Sequence, residues 1–305
     1  MRVVRSASGL KLGEAEYTAV TIGKFDGLHP GHRELIRQTV SAAEMCRKQG
    51  SSALAVVFAI DLSPTGLLSD HERRKMLRDM GVDILITCPL TPAFVRTEAE
   101  DFIRDTLVRD LHARWVVTGS DFRFGYGRTG DDAMLEAFGK EYGFTSRVVP
   151  DVIIEGKKVS SSRIREAVSA GDMELTGKLL GYPYFVTGEI IHGRQLGRTI
   201  GVPTANLIPH RSKLLPPNGV YFSEAEISGR ICHGITNVGT KPTVDGHFIG
   251  VETYFFDCSA DLYGKKMKVN LLHFERPEVR FGSVDELKEQ IRRDEEKAAE
   301  YFRNS

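Results

Sequence analysis

Two histidines three residues apart, His29 and His32, close the segment Thr21-Ile-Gly-Lys-Phe-Asp-Gly-Leu-His-Pro-Gly-His32. At a helix start, imidazoles so spaced lie close together. They can donate hydrogen bonds to a phosphate whose charge grows in a transition state. Helix N-terminal amides favour the same ligand, and Gly23 and Gly31 let the backbone approach a nucleotide. The bare pattern is not specific, because a turn with two surface histidines also satisfies it. Zinc would need more than two histidines, and no third ligand is evident.

Two further segments carry phosphate chemistry. Val159-Ser-Ser-Ser-Arg-Ile-Arg165 enters a helix with hydroxyls, amides and two guanidinium groups, although serine-rich helix starts are also plain caps. Gly119-Ser-Asp-Phe-Arg-Phe-Gly-Tyr-Gly-Arg-Thr-Gly-Asp131 contains a Gly-x-Gly-x-x-Gly match at Gly125, Gly127 and Gly130. That match lies several residues past a strand and not on the first turn of a sheet, so a loop over a nucleotide site is expected instead of a dinucleotide fingerprint. In the second half, His192 to Asn206 places Gly193, Gly197 and Gly201 in a pliable flap charged by Arg194 and Arg198. No Walker P-loop occurs. Thr204 and Asn206 are two apart on an extended chain, so their side chains share a face. A hydroxyl and an amide oxygen are hard ligands suited to magnesium; a proline turn whose Thr and Asn satisfy the backbone is the alternative.

The elements that must position these groups follow from hydrophobic period. Strands are expected at 19–22, 54–60, 83–87, 115–118 and 145–149, and helices at 31–48, 70–80, from a capping box at Thr97 and Glu100 to Leu111, and at 131–142. Ser69 and Glu72 form another such box. Strands spaced by helices predict a parallel sheet with helices on its faces. Short helices follow at 161–170 and 173–180. From Tyr184 to Phe274 the pattern changes to strands at 185–191, 220–227, 231–238, 251–256 and 267–274, broken by Gly and Pro, which predicts an antiparallel barrel or sandwich. A last helix opens at the box Ser283 and Glu286. The boundary is expected near Gly181 to Pro183, giving domains 1–182 and 183–305.

Composition bounds the function. Of 305 residues, 41 are Lys or Arg and 41 are Asp or Glu, so the basic footprint of a nucleic-acid binder is absent. The longest apolar run, Ala53 to Ile60, is far short of the roughly 20 residues of a membrane helix. The N-terminus lacks a signal-peptide core. Cys46, Cys88, Cys232 and Cys258 are widely spread, which predicts four reduced thiols in a cytoplasmic protein.

Taken in order, the Gly-Asp-Gly and His-x-Gly-His segment, the Asp-Phe-Arg-Phe-Gly loop and the Ser-Ser-Ser-x-Ile-Arg run resemble the prokaryotic bifunctional riboflavin kinase/FMN adenylyltransferase, or FAD synthetase, family. The resemblance covers nearly the whole chain. It implies a Rossmann-like nucleotidyltransferase sheet first. There His29 and His32 bind ATP phosphates and stabilise the transferring adenylyl group. Gly23, Lys24, Phe25, Asp26, Ser161, Ser162 and Arg165 complete the phosphate site, and Asp121, Phe122, Arg123 and Phe124 shape the nucleotide and flavin pocket. One departure stands out. The family commonly has Pro-His-Pro after the second strand, where this chain has Ile60-Asp61-Leu62. A riboflavin kinase with a weak adenylyltransferase half is therefore the alternative.

Pro203-Thr-Ala-Asn206, Asn237-Val-Gly-Thr-Lys-Pro-Thr243, Gly250-Val-Glu-Thr-Tyr-Phe-Phe-Asp257, Asp261-Leu-Tyr-Gly264 and Arg276-Pro-Glu-Val-Arg-Phe281 resemble the riboflavin kinase domain. This implies a six-stranded Greek-key barrel with a terminal helix. ATP would be held by Gly193, Arg194, Gly197, Arg198, Thr204 and Asn206, with Mg2+ on Thr204 and Asn206. Glu252 would be the base for the riboflavin 5′-hydroxyl. The implied substrates and products are ATP, riboflavin, FMN and FAD, with no nucleic-acid or membrane partner and a homo-oligomer left open. A non-catalytic flavin sensor would not need Glu252, since binding alone requires no base.

Overall fold

A computed structural model describes residues 1–13, 16–61, 64–191, 202–243, 246–256 and 262–304. The chain divides into two compact units, Met1–Ser160 and Ser161–Ser305. The division precedes the two short helices that the sequence placed before the boundary.

The first unit is a parallel sheet of β1 (Arg2–Val4), β2 (Glu16–Gly23), β3 (Ser52–Asp61), β4 (Ile84–Pro89), β5 (Ala113–Gly119) and β6 (Thr145–Val149), in the order β1-β4-β3-β2-β5-β6. Strand order reverses at β2, which lies between β3 and β5. Alternating side chains serve the two faces differently. Val20, Ile22, Val56, Phe58, Ile84 and Ile86 point into one large core with Phe102, Ile103 and Leu107. On the other face Ala19, Ala53 and Ala55 meet Ala42 and Ala43. Those small residues let the helix α1 (Pro30–Lys48) lie close against the sheet. The chain after β6 makes a small ribbon, β7 (Ile153–Ile154) with β8 (Lys157–Lys158).

The helix α2 (Asp70–Asp79) opens with the expected capping box: Ser69 accepts from the Glu72 amide, and the Glu72 carboxylate accepts from the Ser69 amide. The same pattern at Thr97 and Glu100 does not form. A short helix α3 (Pro92–Val95) precedes it, and Thr97 donates its hydroxyl to the Ala93 carbonyl at 3.4 Å. The next helix, α4, therefore starts uncapped at Ala99–Asp101 and continues as a π-helix over Phe102–Asp110. The helix α5 (Asp132–Tyr142) is capped by Asp131, and Gly143 ends it in the left-handed region.

In the second unit, α6 (Ser161–Ala170) and α7 (Met173–Leu180) come first, and α7 packs on the barrel. The barrel closes through β9 (Tyr184–Ile191), β10 (Thr204–Leu207), β11 (Gly219–Ile227), β12 (Arg230–Thr243), β13 (Gly246–Phe255) and β14 (Lys266–Arg276), ordered β10-β13-β12-β11-β14-β9. Its neighbours pair antiparallel. Val238, Val251, Val269 and Leu271 are buried. A fully buried hydroxyl row satisfies itself: Thr236 donates to Ser223 at 2.6 Å and lies 2.8 Å from Thr253.

The terminal helix α8 (Val284–Asn304) buries Ala298 against Val220, Phe222 and Ile235. Beneath it the Arg276 guanidinium meets Asp294, 1% exposed, at 2.6 Å. Ser283 caps α8 by accepting from the Glu286 amide. The return arm of that box lands one residue early, with the Gly282 amide donating to the Glu286 carboxylate.

Two expectations on cysteine and membrane fare differently. Cys46 and Cys88 are free thiols, but Cys232 is disulfide-bonded, which corrects the expectation of four reduced thiols. Wide spacing in sequence does not bound proximity across antiparallel strands. Cys258 lies outside the described residues. Among the described residues no helix is long and apolar enough to cross a membrane.

Candidate active sites

In an open parallel sheet, ligands bind beyond the carboxyl ends of the strands, where strand order reverses. Here that point lies between β2 and β5. The turn after β2 is tightly built, with Phe25, Gly27 and Leu28 in the left-handed region and Phe25 and Leu28 fully buried. The turn delivers His29 as the N-cap of α1, without a side-chain capping bond. His29 and His32 stack with ring centroids 3.8 Å apart, and Phe25 backs His32 at 5.2 Å. Gly31 permits the stack: a Cβ there would press on the His29 ring at 3.3 Å.

Both histidines stand neutral. Burial, followed by the positive charges of Lys158 and Arg33, lowers His29 from 6.5 to about 4. Burial, followed by His29 itself, holds His32 well below the usual imidazole range. The Nδ1 atoms of both rings are buried without a hydrogen-bond partner, as are the hydroxyls of Thr21 and Thr118 near the ends of β2 and β5. Buried polar groups are rarely left so. These groups lie at the strand-order reversal, the point where open parallel sheets bind ligands.

The other expected residues of this half divide by role. Lys24 is exposed at the mouth of the turn. Asp26 is a clamp: its carboxylate accepts from the Leu67 amide at 2.7 Å and ties the loop before α2 to the β2–α1 turn. Asp121 follows β5 and pairs with Lys158 at 2.7 Å, which holds its carboxyl below the usual range. Lys158 reaches Asp151 at the same distance. Phe122 and Phe124 stack at 5.5 Å, and Phe124 continues into the core through Phe102. Arg123 is exposed and donates to the Phe122 carbonyl.

The glycines of that loop answer to packing. A Cβ on Gly125 would sit 2.6 Å from Ala99, and one on Gly130 would sit 2.6 Å from the Phe124 ring. At the departure from the family pattern, Ile60 packs on the core and Asp61 ends β3; Leu62 lies outside the described residues. Lys158 was not singled out from the sequence. The Lys157-Lys158 pair just before the serine run was its signal.

Ser161, Ser162 and Arg165 belong to the first turns of α6 in the second unit, where Ile164 is the buried residue of the segment. In the barrel, Ala205, Leu207, Val251 and Thr253 point inward, so Thr204, Asn206, Glu252 and Tyr254 share the outer face. Asn206 donates to the Thr204 hydroxyl at 3.2 Å, which places the two side chains together as their spacing predicts. Antiparallel register sets Asn206 opposite Glu252, and Glu252 in turn opposite Asn237. Three polar side chains from adjacent strands thus form one row. The flap residues Gly193, Arg194, Gly197, Gly201 and Arg198 lie outside the described residues, as does Asp261. Among the described residues no group of three or more His, Cys, Asp or Glu side chains could hold a metal.

The FAD synthetase family model matches residues 12–163, and the riboflavin kinase family model matches residues 180–302. A bifunctional riboflavin kinase/FMN adenylyltransferase of Escherichia coli (strain K12) is 37% identical, covering 99% of this chain and 98% of its own. The protein of that name from Bacillus subtilis (strain 168) is 33% identical, covering 95% and 94%. Among solved structures, one described as a macrolide-efflux protein from Streptococcus pneumoniae superposes with a TM-score of 0.82. It is 31% identical and covers 97% of this chain and 98% of that one.

Proposed function

The chain belongs to the bifunctional riboflavin kinase/FMN adenylyltransferase family, and from that premise we propose which residues carry each step. It phosphorylates riboflavin to FMN with ATP and transfers the adenylyl group of ATP to FMN, giving FAD and pyrophosphate. We assign adenylyl transfer to residues 1–182 and the kinase to residues 183–305, and we place the protein in the cytoplasm.

In adenylyl transfer an anionic phosphate attacks a polyanion, so the site must supply hydrogen bonds and positive charge. His29 and His32 supply neutral imidazole donors at the mouth of α1, aided by that helix's amides. Lys24 adds charge at the rim. Lys158, anchored by two carboxylates, brings a further cation toward His29. Gly23 keeps the approach open, and Phe25 supports the rings. Asp121 to Phe124 form the wall for the nucleotide and flavin, with Asp26 holding the loop opposite. Ser161, Ser162 and Arg165, in the first turns of α6, carry the hydroxyl, amide and guanidinium groups that phosphate recognition uses.

In the kinase, Glu252 accepts the proton of the riboflavin 5′-hydroxyl as the hydroxyl oxygen attacks the γ-phosphorus of ATP, the bond from that phosphorus to the β,γ-bridging oxygen breaks and ADP leaves. Positioning and charge neutralisation do most of the work in such a transfer, with the carboxylate assisting. Thr204 and Asn206 fit a magnesium ion, since each offers a neutral oxygen and phosphates and water can complete the shell. When bound, the metal neutralises charge on the ATP phosphates. Gly193, Arg194, Gly197 and Arg198 would contribute to binding the same nucleotide, the two arginines through their charge.

The observation that carries the assignment is the cross-strand register of Asn206 with Glu252, which puts the nucleotide-holding pair beside the base. A reciprocal assay tests it. Glu252→Gln should lower FMN formation by about 10²–10⁴-fold and leave FAD formation from FMN near wild type. His32→Ala should do the reverse. Loss of both activities in a variant that remains folded by circular dichroism refutes two separate sites.

A further inference from the structure

The polar row on the barrel continues past Glu252 to Asn237, which the kinase chemistry above does not use. Adjacent strands lie about 4.8 Å apart. The row therefore spans about 10 Å from Asn206 to Asn237, with Glu252 between them. In an in-line transfer the leaving group and the attacking alcohol lie on opposite sides of the transferred phosphorus. If ATP is held on the Thr204 and Asn206 flank, the chain of the alcohol must run out along the Asn237 flank.

Asn237 is fixed there. Its Nδ2 donates to Glu278 Oε1 at 3.1 Å, and the other carboxylate oxygen accepts from Asn218 Nδ2 at 3.2 Å. Asn218 Nδ2 also donates to the Thr240 hydroxyl at 3.2 Å. An ionised carboxylate only accepts, so each asparagine must turn its NH₂ toward Glu278 and its carbonyl oxygen away. Without that carboxylate the two ends of the Asn237 amide are nearly equivalent in shape and either could face the substrate.

Glu278 is itself placed from two sides. Arg276, bound to Asp294, donates to the Pro277 carbonyl at 3.1 Å and fixes the residue just before it. Gly239 shares the Asn237 face of β12 and leaves the space the carboxylate fills: a Cβ on Gly239 would lie 2.0 Å from Glu278 Oε1. Strand chemistry does not require glycine there, because its backbone is not in the left-handed region. The neighbouring carboxylate does.

We propose that Asn237 accepts a hydrogen bond from the ribityl hydroxyl next to the one phosphorylated, and that Glu278 is the positioning residue that orients it. The inference rests on the kinase assignment and adds to it the means by which a polyhydroxyl chain is selected over an unsubstituted flavin.

The test uses the full chain with riboflavin and with lumiflavin, which lacks the ribityl chain. One neutral hydrogen bond is worth about 2- to 10-fold in binding. Glu278→Ala should therefore raise the riboflavin KM and the Kd from flavin fluorescence about 5-fold, with kcat within about 2-fold. Lumiflavin binding and FMN adenylylation should not change. Gly239→Ala, which displaces the carboxylate without removing it, should move riboflavin in the same direction. Equal weakening of riboflavin and lumiflavin would overturn the proposal, since Glu278 would then merely hold the barrel surface. Unchanged riboflavin kinetics in both variants would overturn it as well. A wild-type chain that makes no FMN would instead refute the kinase assignment, an outcome visible before any variant is compared.

Discussion

Lowering the pH from about 7.5 to about 5 should cost the first unit about 2 kcal/mol through His29 alone. His29 is 7% exposed, and its value falls from 6.5 in the unfolded chain to about 4 in the fold. Above the unfolded value both states are neutral, and stability is fully present. As pH falls between the two values the unfolded state takes up the proton first, so stability drops by about 1.4 kcal/mol per pH unit until the folded ring also protonates. At about pH 5, roughly one and a half units below the unfolded value, the sum is about 2 kcal/mol. His32, depressed in the same direction by burial, adds to the wild-type loss.

The assay is built into the chain. Trp115 is its single tryptophan and sits in β5, so its fluorescence reports the unfolding of the first unit. Denaturant titrations at both pH values, for wild type and His29→Asn, isolate the histidine. The pH-dependent loss should be smaller in the variant by about 2 kcal/mol. Equal pH dependence in the two proteins would refute the reasoning, because His29 would then titrate alike folded and unfolded. ATP should narrow the wild-type loss, since phosphates at the rings favour their charged form.

Two further outcomes follow from buried or bridging charges. Lys158→Ala removes the cation held between Asp121 and Asp151; FAD formation should fall about 10-fold or more, the scale of a lost charge-assisted hydrogen bond, with riboflavin phosphorylation unchanged, and an unaltered FAD rate would take Lys158 off the site. Asp294→Ala leaves Arg276 without its buried partner and should cost the second unit about 3 kcal/mol, the lower end for such pairs because Arg276 keeps some exposure; thermal loss of kinase activity at the wild-type temperature would contradict it.

Local patterns were legible where nothing distant competed. Thr204 and Asn206 share a face because strand period alone requires it, and the closing helix begins where Ser283 says it should. The boxes at Ser69 and Thr97 are alike in sequence, yet only the first forms. Pro92 nucleates a helix just ahead of Thr97, and the Ala93 carbonyl, which also accepts from the Arg96 amide, captures the hydroxyl. The π-helix that follows has no signal in the apolar spacing. Lys158 acquires meaning only through carboxylates brought from other turns, and Cys232 only through its place on a barrel strand. Side chains that act on their own element could be read from the sequence; those defined by what the fold sets beside them could not.

The same distinction separates the two sites. His29 and His32 interact with each other within one helix start, so their spacing alone predicted that the rings lie together, while their chemistry came from the resemblance. The kinase row takes Asn206, Glu252 and Asn237 from three strands, and antiparallel register is what aligns them. A one-residue slip of β12 would turn Asn237 into the barrel and put Val238 or Thr236 in its place. The buried hydroxyl contacts of Thr236 with Ser223 and Thr253 oppose that slip, because a shifted strand would leave all three unpaired in an apolar interior. The interior of the barrel therefore holds the register on which the proposed kinase row of its outer face depends.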